Sequence, residues 1–540
     1  MRKSILAIVG ISFFMLFSCK QNKQEDIQAR IFQPNWKSLE QYEVPKWFRD
    51  SKFGIWAHWG PQCQPEKGDW YARYMYIEGD RRYNSHLENF GHPSEFGFKD
   101  VINDWKAEHW DPEKLVALYK RAGAKYFFAM GNHHDNLDLW ESKYHEWNSV
   151  NVGPHKNILD GWAKAAKNNE LPFGVSIHSS HAWFWYETSR LADKQGVYAG
   201  VPYDGHLTKN DGKGKWWDGL DPQELYVQNH PLSIGAEIPS SIFNQWNWNN
   251  GVTPPSEEYC LDFYNRTMDM INQYNPDLLY FDDTALPFWP LNNVGLKLAS
   301  NYYNNNMKMN DGKLEAVLFG KVLTNDQKKC MVWDVERGAP DDIQENPWQT
   351  CTCIGDWHYD RDFYEQNRYK SSKTVIQMLV DIVSKNGNLL LNVPIRGDGS
   401  IDEKELKIVE GIRDWMDINS ECIYETRPWI IYGEGPKAEQ INPIKDQGFN
   451  EGKGERYNSK DIRFTKKGNI LYAVVMEWPE NEEKVVINSL STQSPNYNKD
   501  LDEVEMLGGK IKSYKFDNTG LTIEFPTNID LVAPLVFKIY

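Results

Sequence analysis

The chain has 540 residues, 40% hydrophobic and 25% charged, with a formal net charge of −16 and a mean hydropathy of −0.67. That hydropathy excludes a polytopic membrane protein, and the acidic surplus argues against a nucleic-acid binder, which needs a basic face. The unusual figure is the aromatic share of 14%, with 23 Trp: most such rings belong in a core, but an acidic, Trp-rich surface also suits neutral ligands with flat apolar faces, such as sugars.

Residues 1–18 read as an export signal. Met1-Arg2-Lys3 is positive, and 5–17 is a largely apolar run too short to span a bilayer as a helix. The run ends in Leu16-Phe17-Ser18-Cys19, which resembles a bacterial lipoprotein cleavage box. The resemblance implies cleavage before Cys19 and lipidation of its thiol. The product would be an exported bacterial lipoprotein, membrane-anchored through Cys19 in the periplasm or outer membrane, with 19–44 as a tether. Six cysteines remain: Cys63, Cys260, Cys330, Cys351, Cys353 and Cys422. Their pairing is not readable from sequence. Cys351 and Cys353 alternate along a strand, so their thiols point the same way. No second Cys/His pair stands at zinc-finger spacing, so no structural zinc is expected.

From 45 to 430, short apolar runs alternate with helical patterns, which argues a parallel sheet with crossover helices. The candidate strands are 53–58, 126–130, 173–178, 278–282, 316–320, 331–335, 350–354 and 389–393. Eight is the count of a (β/α)8 TIM barrel. Asp111-Pro112-Glu113 caps a helix whose apolar face is Leu115, Val116, Leu118, Tyr119 and Ala122, closed by Gly123. Val375, Met378, Leu379, Ile382 and Val383 make a second apolar helical face. The polar stretch 184–255, with Trp216, Trp217, Trp246 and Trp248, reads as an insertion after the third strand, on the ligand-binding side. After Trp429 the helical period disappears. Short runs at 470–478, 484–487, 504–506, 510–516, 521–525 and 532–540, with Asn518-Thr519-Gly520 as a turn, predict a C-terminal antiparallel β-sandwich over 431–540.

A barrel of this kind places its active site at the C-terminal ends of its strands. Those positions carry His58, His133, His134, His178, Asp282 and Glu336. A lone histidine there is most often a satisfied rim residue; several at equivalent positions weaken that reading. Strands have a period of two, so Asp282 and Asp283 face opposite sides, and Asp282 points inward if Leu278 and Tyr280 do. An inward carboxylate in an aromatic setting suits attack on an anomeric carbon. Glu336 is the natural second carboxylate and Glu345 its rival. A zinc site on His133 and His134 is awkward, because adjacent strand residues point apart.

Trp47-Phe48-Arg49-Asp50-Ser51-Lys52-Phe53-Gly54-Ile55-Trp56-Ala57-His58-Trp59-Gly60 resembles the opening motif of the α-L-fucosidases of glycoside hydrolase family 29. So do Asp69-Trp70-Tyr71, Ala122 to Tyr126 followed by His133-His134-Asp135, Leu278 to Asp282, Trp348-Gln349-Thr350-Cys351 and the unit from Leu379 to Val393. The resemblance implies a retaining exo-glycosidase acting on fucosylated glycans, with no metal or other cofactor. Asp282 would attack C1, and Glu336 would protonate the leaving oxygen and then activate water. Trp56, His58, Asp69, Trp70, His133, His134 and His178 would bind the sugar, and Arg337 would orient Asp282. The sequence departs from the family's pattern in two places. Asp69 is one methylene shorter than the usual Glu, and Ile177-His178-Ser179-Ser180-His181 stands where a Tyr is common. Both departures touch the sugar, so an α-L-galactosidase or a fucan-directed hydrolase remains open beside an α-L-fucosidase. A reading from another class is a silent, surface-anchored glycan-binding lipoprotein. The linkage and the oligomeric state are not legible.

Overall fold

The computed structural model describes residues 31–540 apart from 249, 446–447, 480–483, 498–500 and 527–531. The signal segment, Cys19 and the first part of the tether lie outside the described residues. Eight strands form a closed parallel barrel in chain order: β1 (Phe53–Ala57), β2 (Phe127–Asn132), β3 (Phe173–Ile177), β4 (Leu278–Thr284), β5 (Val317–Lys321), β6 (Val332–Glu336), β7 (Trp348–Cys353) and β8 (Gly387–Asn392), with β8 pairing back to β1. Each lies where the alternation of apolar runs predicts a strand, with ends moved by one or two residues. Most are buried along their whole length, which explains why they read as near-continuous apolar runs rather than alternating ones.

The two signalled helices form as expected. Asp111 caps Pro112–Arg121, its carboxylate accepting the Lys114 N–H at 3.1 Å, and the helix buries Leu115, Val116 and Tyr119. Ser371 caps Ser372–Ser384, which buries Val375, Leu379, Ile382 and Val383. The tether expectation needs correction from Phe32 onward. Phe32, Leu39 and Tyr42 are buried, Tyr42 stacks on Tyr303 with centroids 4.9 Å apart, and the Phe32 N–H donates to Asn304. This segment is held to the barrel by apolar burial, and a tether is not. Among the described residues, no helix is long and apolar enough to cross a membrane, and the six cysteines there are free and buried.

The stretch 184–255 holds only short helices and 3-10 turns among the described residues. Beyond the barrel, β9 (Arg427–Glu434), β10 (Ile462–Lys467), β11 (Ile470–Val475), β13 (Val504–Met506) and β16 (Leu535–Ile539) form one antiparallel sheet, while β12 (Lys484–Ile487), β14 (Ser513–Asp517) and β15 (Gly520–Glu524) form a second. Their inner faces share a core of Ile462, Phe464, Val475, Ile523 and Phe537. β9 and β10 were not foreseen, and sheet structure begins at Arg427 rather than 431. β9 is an edge strand of half-buried residues with Pro428 in it, and edges are where Pro is tolerated and patterns fade.

The sandwich docks on the barrel through a buried charge cluster. Asp381, on the helix Ser372–Ser384, accepts from Arg463 Nε at 2.5 Å and from Lys385 Nζ at 2.8 Å. Burial would raise the Asp381 carboxyl, but Lys385 and Arg463 overcome this and hold it well below the usual range. Gln377 donates to the Met476 carbonyl across the same contact.

Candidate active site

A cavity of about 840 Å³ opens at the C-terminal ends of the barrel strands. Its wall includes Trp56, His58, Asp69, Trp70, His133, His178, Asp282, Glu336 and Arg337. Residues scattered over nearly 300 positions meet there because every barrel strand ends on the same rim.

Asp282 points into the cavity and Asp283 away from it, bound to Ser180 Oγ at 2.7 Å and facing His181 Nε2 at 3.2 Å. The period of two therefore holds, and the register between β4 and β5 shifts across Asp282, between Tyr280 and Thr284. Lys321, the last residue of β5, donates to Asp282 Oδ1 at 2.5 Å and to Glu336 Oε2 at 2.6 Å. One ammonium thus ties both carboxylates. Bonds of 2.5 and 2.6 Å to one nitrogen keep the two bonded oxygens within about 5 Å of each other, which agrees with the close carboxyl pair, about 5–5.5 Å apart, of double-displacement glycosidases.

The two carboxyls are biased in opposite directions. Burial would raise Asp282, but Lys321 and the His134 and His178 rings outweigh it and hold the group well below the usual carboxylate range. Burial raises Glu336; Lys321 offsets this in part, while the Asp282 charge adds to it. A low-pKa carboxylate beside a raised one separates a nucleophile from a proton donor. Trp357 donates its indole N–H to Glu336 Oε1 at 3.2 Å. Glu345 is exposed and outside the cavity, so the structure brings Glu336 to Asp282 and leaves the rival out.

Three sequence expectations change. Lys321, not Arg337, holds Asp282; Arg337 forms part of the wall. His134 stands behind Asp282, its Nε2 3.1 Å from Oδ2 and its Nδ1 2.8 Å from the His178 carbonyl, and it does not reach the cavity wall. The argument that His133 and His134 point apart also fails. β2 ends at Asn132, so strand alternation no longer governs them, and their ring centroids lie 4.4 Å apart. His133, His134 and His178 do bring ligand-type atoms within 4.8 Å of one another. Yet Gln62 donates an amide N–H to His133 Nδ1 at 2.7 Å, and a metal-bound imidazole normally donates outward instead.

Trp56 forms the floor, with Tyr280 and Trp357 against it at 5.1 and 5.7 Å between centroids. Of Trp216, Trp217, Trp246 and Trp248, only Trp246 lines the cavity, together with Phe243, Asn247 and Asn250. Trp217 and Trp248 are buried, and Trp216 bonds to Asp100. His358 went unnoticed in the sequence, lying in the loop beyond β7; its Nδ1 is 2.6 Å from Asp69 Oδ1. Phe449, from the loop between β9 and β10, also lines the cavity. That loop is stitched to the site: the Phe449 N–H donates to the Glu336 carbonyl at 2.8 Å and the Glu451 N–H to that of Arg337 at 2.9 Å. Gly448 lies at φ +148°, where an added Cβ would stand 2.0 Å from the Glu336 carbonyl oxygen.

A family model described as alpha-L-fucosidase matches residues 19–421, and one described as alpha-L-fucosidase C-terminal domain matches 456–539. The tissue alpha-L-fucosidase of Homo sapiens is 25% identical across 94% of this chain and 91% of its own length. The plasma alpha-L-fucosidase of Homo sapiens is 24% identical across 92% and 89%. Among solved structures, Thermotoga maritima alpha-fucosidase in complex with a mechanism-based inhibitor superposes with a TM-score of 0.67 at 24% identity, covering 94% of this chain and all of that one. A trapped covalent intermediate of an alpha-L-fucosidase from Bacteroides thetaiotaomicron gives 0.57 at 15% identity, covering 92% and 95%. These likenesses agree with the barrel and its sheets, and the family model spans most of the sequence: the chain belongs to the alpha-L-fucosidase family of glycoside hydrolases.

Proposed function

We propose that the protein is a retaining, exo-acting α-L-fucosidase with Asp282 as nucleophile and Glu336 as acid/base. A carboxylate oxygen of Asp282 attacks C1 as Glu336 transfers its proton to the glycosidic oxygen, and the aglycone leaves as an alcohol. The Glu336 carboxylate then takes a proton from water, whose oxygen attacks C1 and releases Asp282. Trp56 receives the apolar face that carries the C5 methyl, and His58, Asp69, Trp70, His133 and His178 surround the hydroxyls. The observation that carries this reading is the Lys321 bridge between two half-buried carboxyls of opposite protonation bias. A silent glycan binder would have no use for that pair. Proton NMR of an aryl α-L-fucoside during early turnover tests it: α-L-fucose appears first if the mechanism is retaining, and β-L-fucose first overturns it.

The N-terminal signal and Leu16-Phe17-Ser18-Cys19 support export with lipid anchoring at Cys19. Cys19→Ala then moves the protein from the membrane to the soluble fraction; retention in the membrane refutes the anchor.

A further inference from the structure

We infer that Phe449 and Arg337 form the seat of the sugar that carries the fucose: a neutral pyranose whose C–H face rests on the Phe449 ring while its hydroxyls accept from the Arg337 guanidinium. The inference rests on the hydrolase reading and adds to it the part of the substrate that leaves.

The Phe449 ring is 49% exposed and lines the cavity. It belongs to neither hydrophobic core of the described residues. Its backbone is nonetheless held on every side. Besides the Phe449 bond to the Glu336 carbonyl and the Glu451 bond to that of Arg337, Asn450 Oδ1 accepts the Ala339 N–H and its Nδ2 donates to the Ala339 carbonyl, both at 2.9 Å. Lys370 Nζ pairs with the Glu451 carboxylate at 2.7 Å. Phe449 itself stands at φ +60°, where a bulky side chain is strained and Gly or Asn would serve the backbone better. The ring adds nothing to either core, so the apolar face of a ligand is what accounts for keeping it there.

Position decides which sugar this is. Glu336 gives its proton to the leaving oxygen, so the departing group lies against Glu336. Phe449 is bonded to the Glu336 main chain, and Arg337 follows Glu336 directly. Arg337 turns out of β6 at φ +47° and lines the same cavity; among the described residues its guanidinium makes no hydrogen bond or ion pair. Phe243, a second exposed ring of the cavity, packs on Trp70 with centroids 5.7 Å apart and so belongs to the wall around the fucose. The cavity of about 840 Å³ falls among pockets of ~300–1,000 Å³ that hold drug-sized ligands, and a single deoxyhexose leaves much of it over. A flat ring takes the C–H face of a pyranose, and a guanidinium donates to its hydroxyls. Carboxyl side chains outnumber lysines and arginines along the wall, so a neutral sugar suits it better than an anionic one.

The test measures kcat/KM of the full-length protein on methyl α-L-fucoside and on the best substrate among the linkage isomers of α-L-fucosyl-galactose and α-L-fucosyl-N-acetylglucosamine. Both kinds of substrate release an alcohol that needs the Glu336 proton, so a disturbed acid/base cancels in the ratio of disaccharide to methyl glycoside. Phe449→Ala is expected to lower that ratio about 10-fold, and Arg337→Leu about 3- to 10-fold. Phe449→Tyr, which keeps a ring face, stays within about 2-fold of the wild type; a fall as large as that of Phe449→Ala overturns the stacking. A ratio that neither Phe449→Ala nor Arg337→Leu moves overturns the proposal, and a ratio moved by only one of them overturns the part given to the other. Cleavage of the methyl glycoside with none of the disaccharides overturns it as well. Phe449→Leu, which keeps apolar bulk without a flat face, replaces Phe449→Ala should that variant not fold. If the wild type cleaves neither kind of substrate, the hydrolase reading has failed instead, and the same ratio is read from equilibrium binding of the disaccharides and the methyl glycoside.

Discussion

At the rim of the barrel, Asp282, Glu336 and Lys321 share one cavity with His58, His133 and His178, and both ring nitrogens of His58 and Nε2 of His178 are buried there without a hydrogen-bond partner. The sandwich instead buries Ile462, Phe464, Val475, Ile523 and Phe537 against one another, in strands whose side chains alternate inward and outward. Buried polar atoms without partners are costly, and the barrel rim carries several where a ligand could satisfy them. The comparison separates a region organised for chemistry from one organised for packing. The loop carrying Gly448 to Glu451 belongs in sequence to the second region and in space to the first.

Variants on either side of that division sharpen it. Asp282→Asn removes the nucleophile and is expected to lower kcat on aryl α-L-fucosides on the order of 10³- to 10⁴-fold; near-normal turnover would move the chemistry elsewhere. Lys321→Met is expected to cost about 10²-fold, since it leaves two half-buried carboxyls without their shared cation. Its pH profile is the sharper readout. Activity falls on the acid side as Asp282 gains a proton and on the alkaline side as Glu336 loses its own. Lys321 lowers both groups, so its removal raises both and moves the whole bell to higher pH. An unmoved profile would disprove the bridge.

Gly448→Ala tests the loop that crosses the boundary. The added methyl would clash with the Glu336 backbone at a left-handed φ, and a strain of about 1–3 kcal/mol is expected to lower kcat roughly 10-fold. If kcat holds, the loop does not position Glu336. Arg463→Leu removes one of the two cations bonded to Asp381 and leaves Lys385. It is expected to cost about 3–5 kcal/mol of stability by denaturant titration while kcat of the folded protein stays unchanged; a fall in kcat would mean the sandwich shapes the site through this contact as well. Glu345→Gln, at an exposed position, should change activity by less than about 2-fold, and a large loss there would reopen the choice of acid/base.

The eight barrel strands were legible because parallel strands buried on both faces leave apolar runs that alternate with helices. Asp282 and Glu336 were legible because strand ends are predictable and strands have a period of two. Lys321 obeys the same rule and was missed by a single residue: the expected strand stopped at Gly320, and a lysine beyond it reads as solvated. β9 faded at a sheet edge. His358 lies in an irregular loop, where no period tells which way a side chain points. Phe449 comes from more than a hundred residues beyond Glu336, and no local pattern encodes that return.

The sequence by itself determined the barrel, the candidate carboxylates and the strand-end histidines, because hydrophobic period and strand-end position are local properties. The tertiary structure alone decided which cation serves Asp282, that Glu336 rather than Glu345 faces it, and which side chains stand against the imidazoles. Those depend on hydrogen-bond partners brought together by the closure of the barrel, such as Gln62 beside His133 and Asp69 beside His358. Such contacts follow from what lies within 3 Å in space, and a chain read in order does not contain that distance.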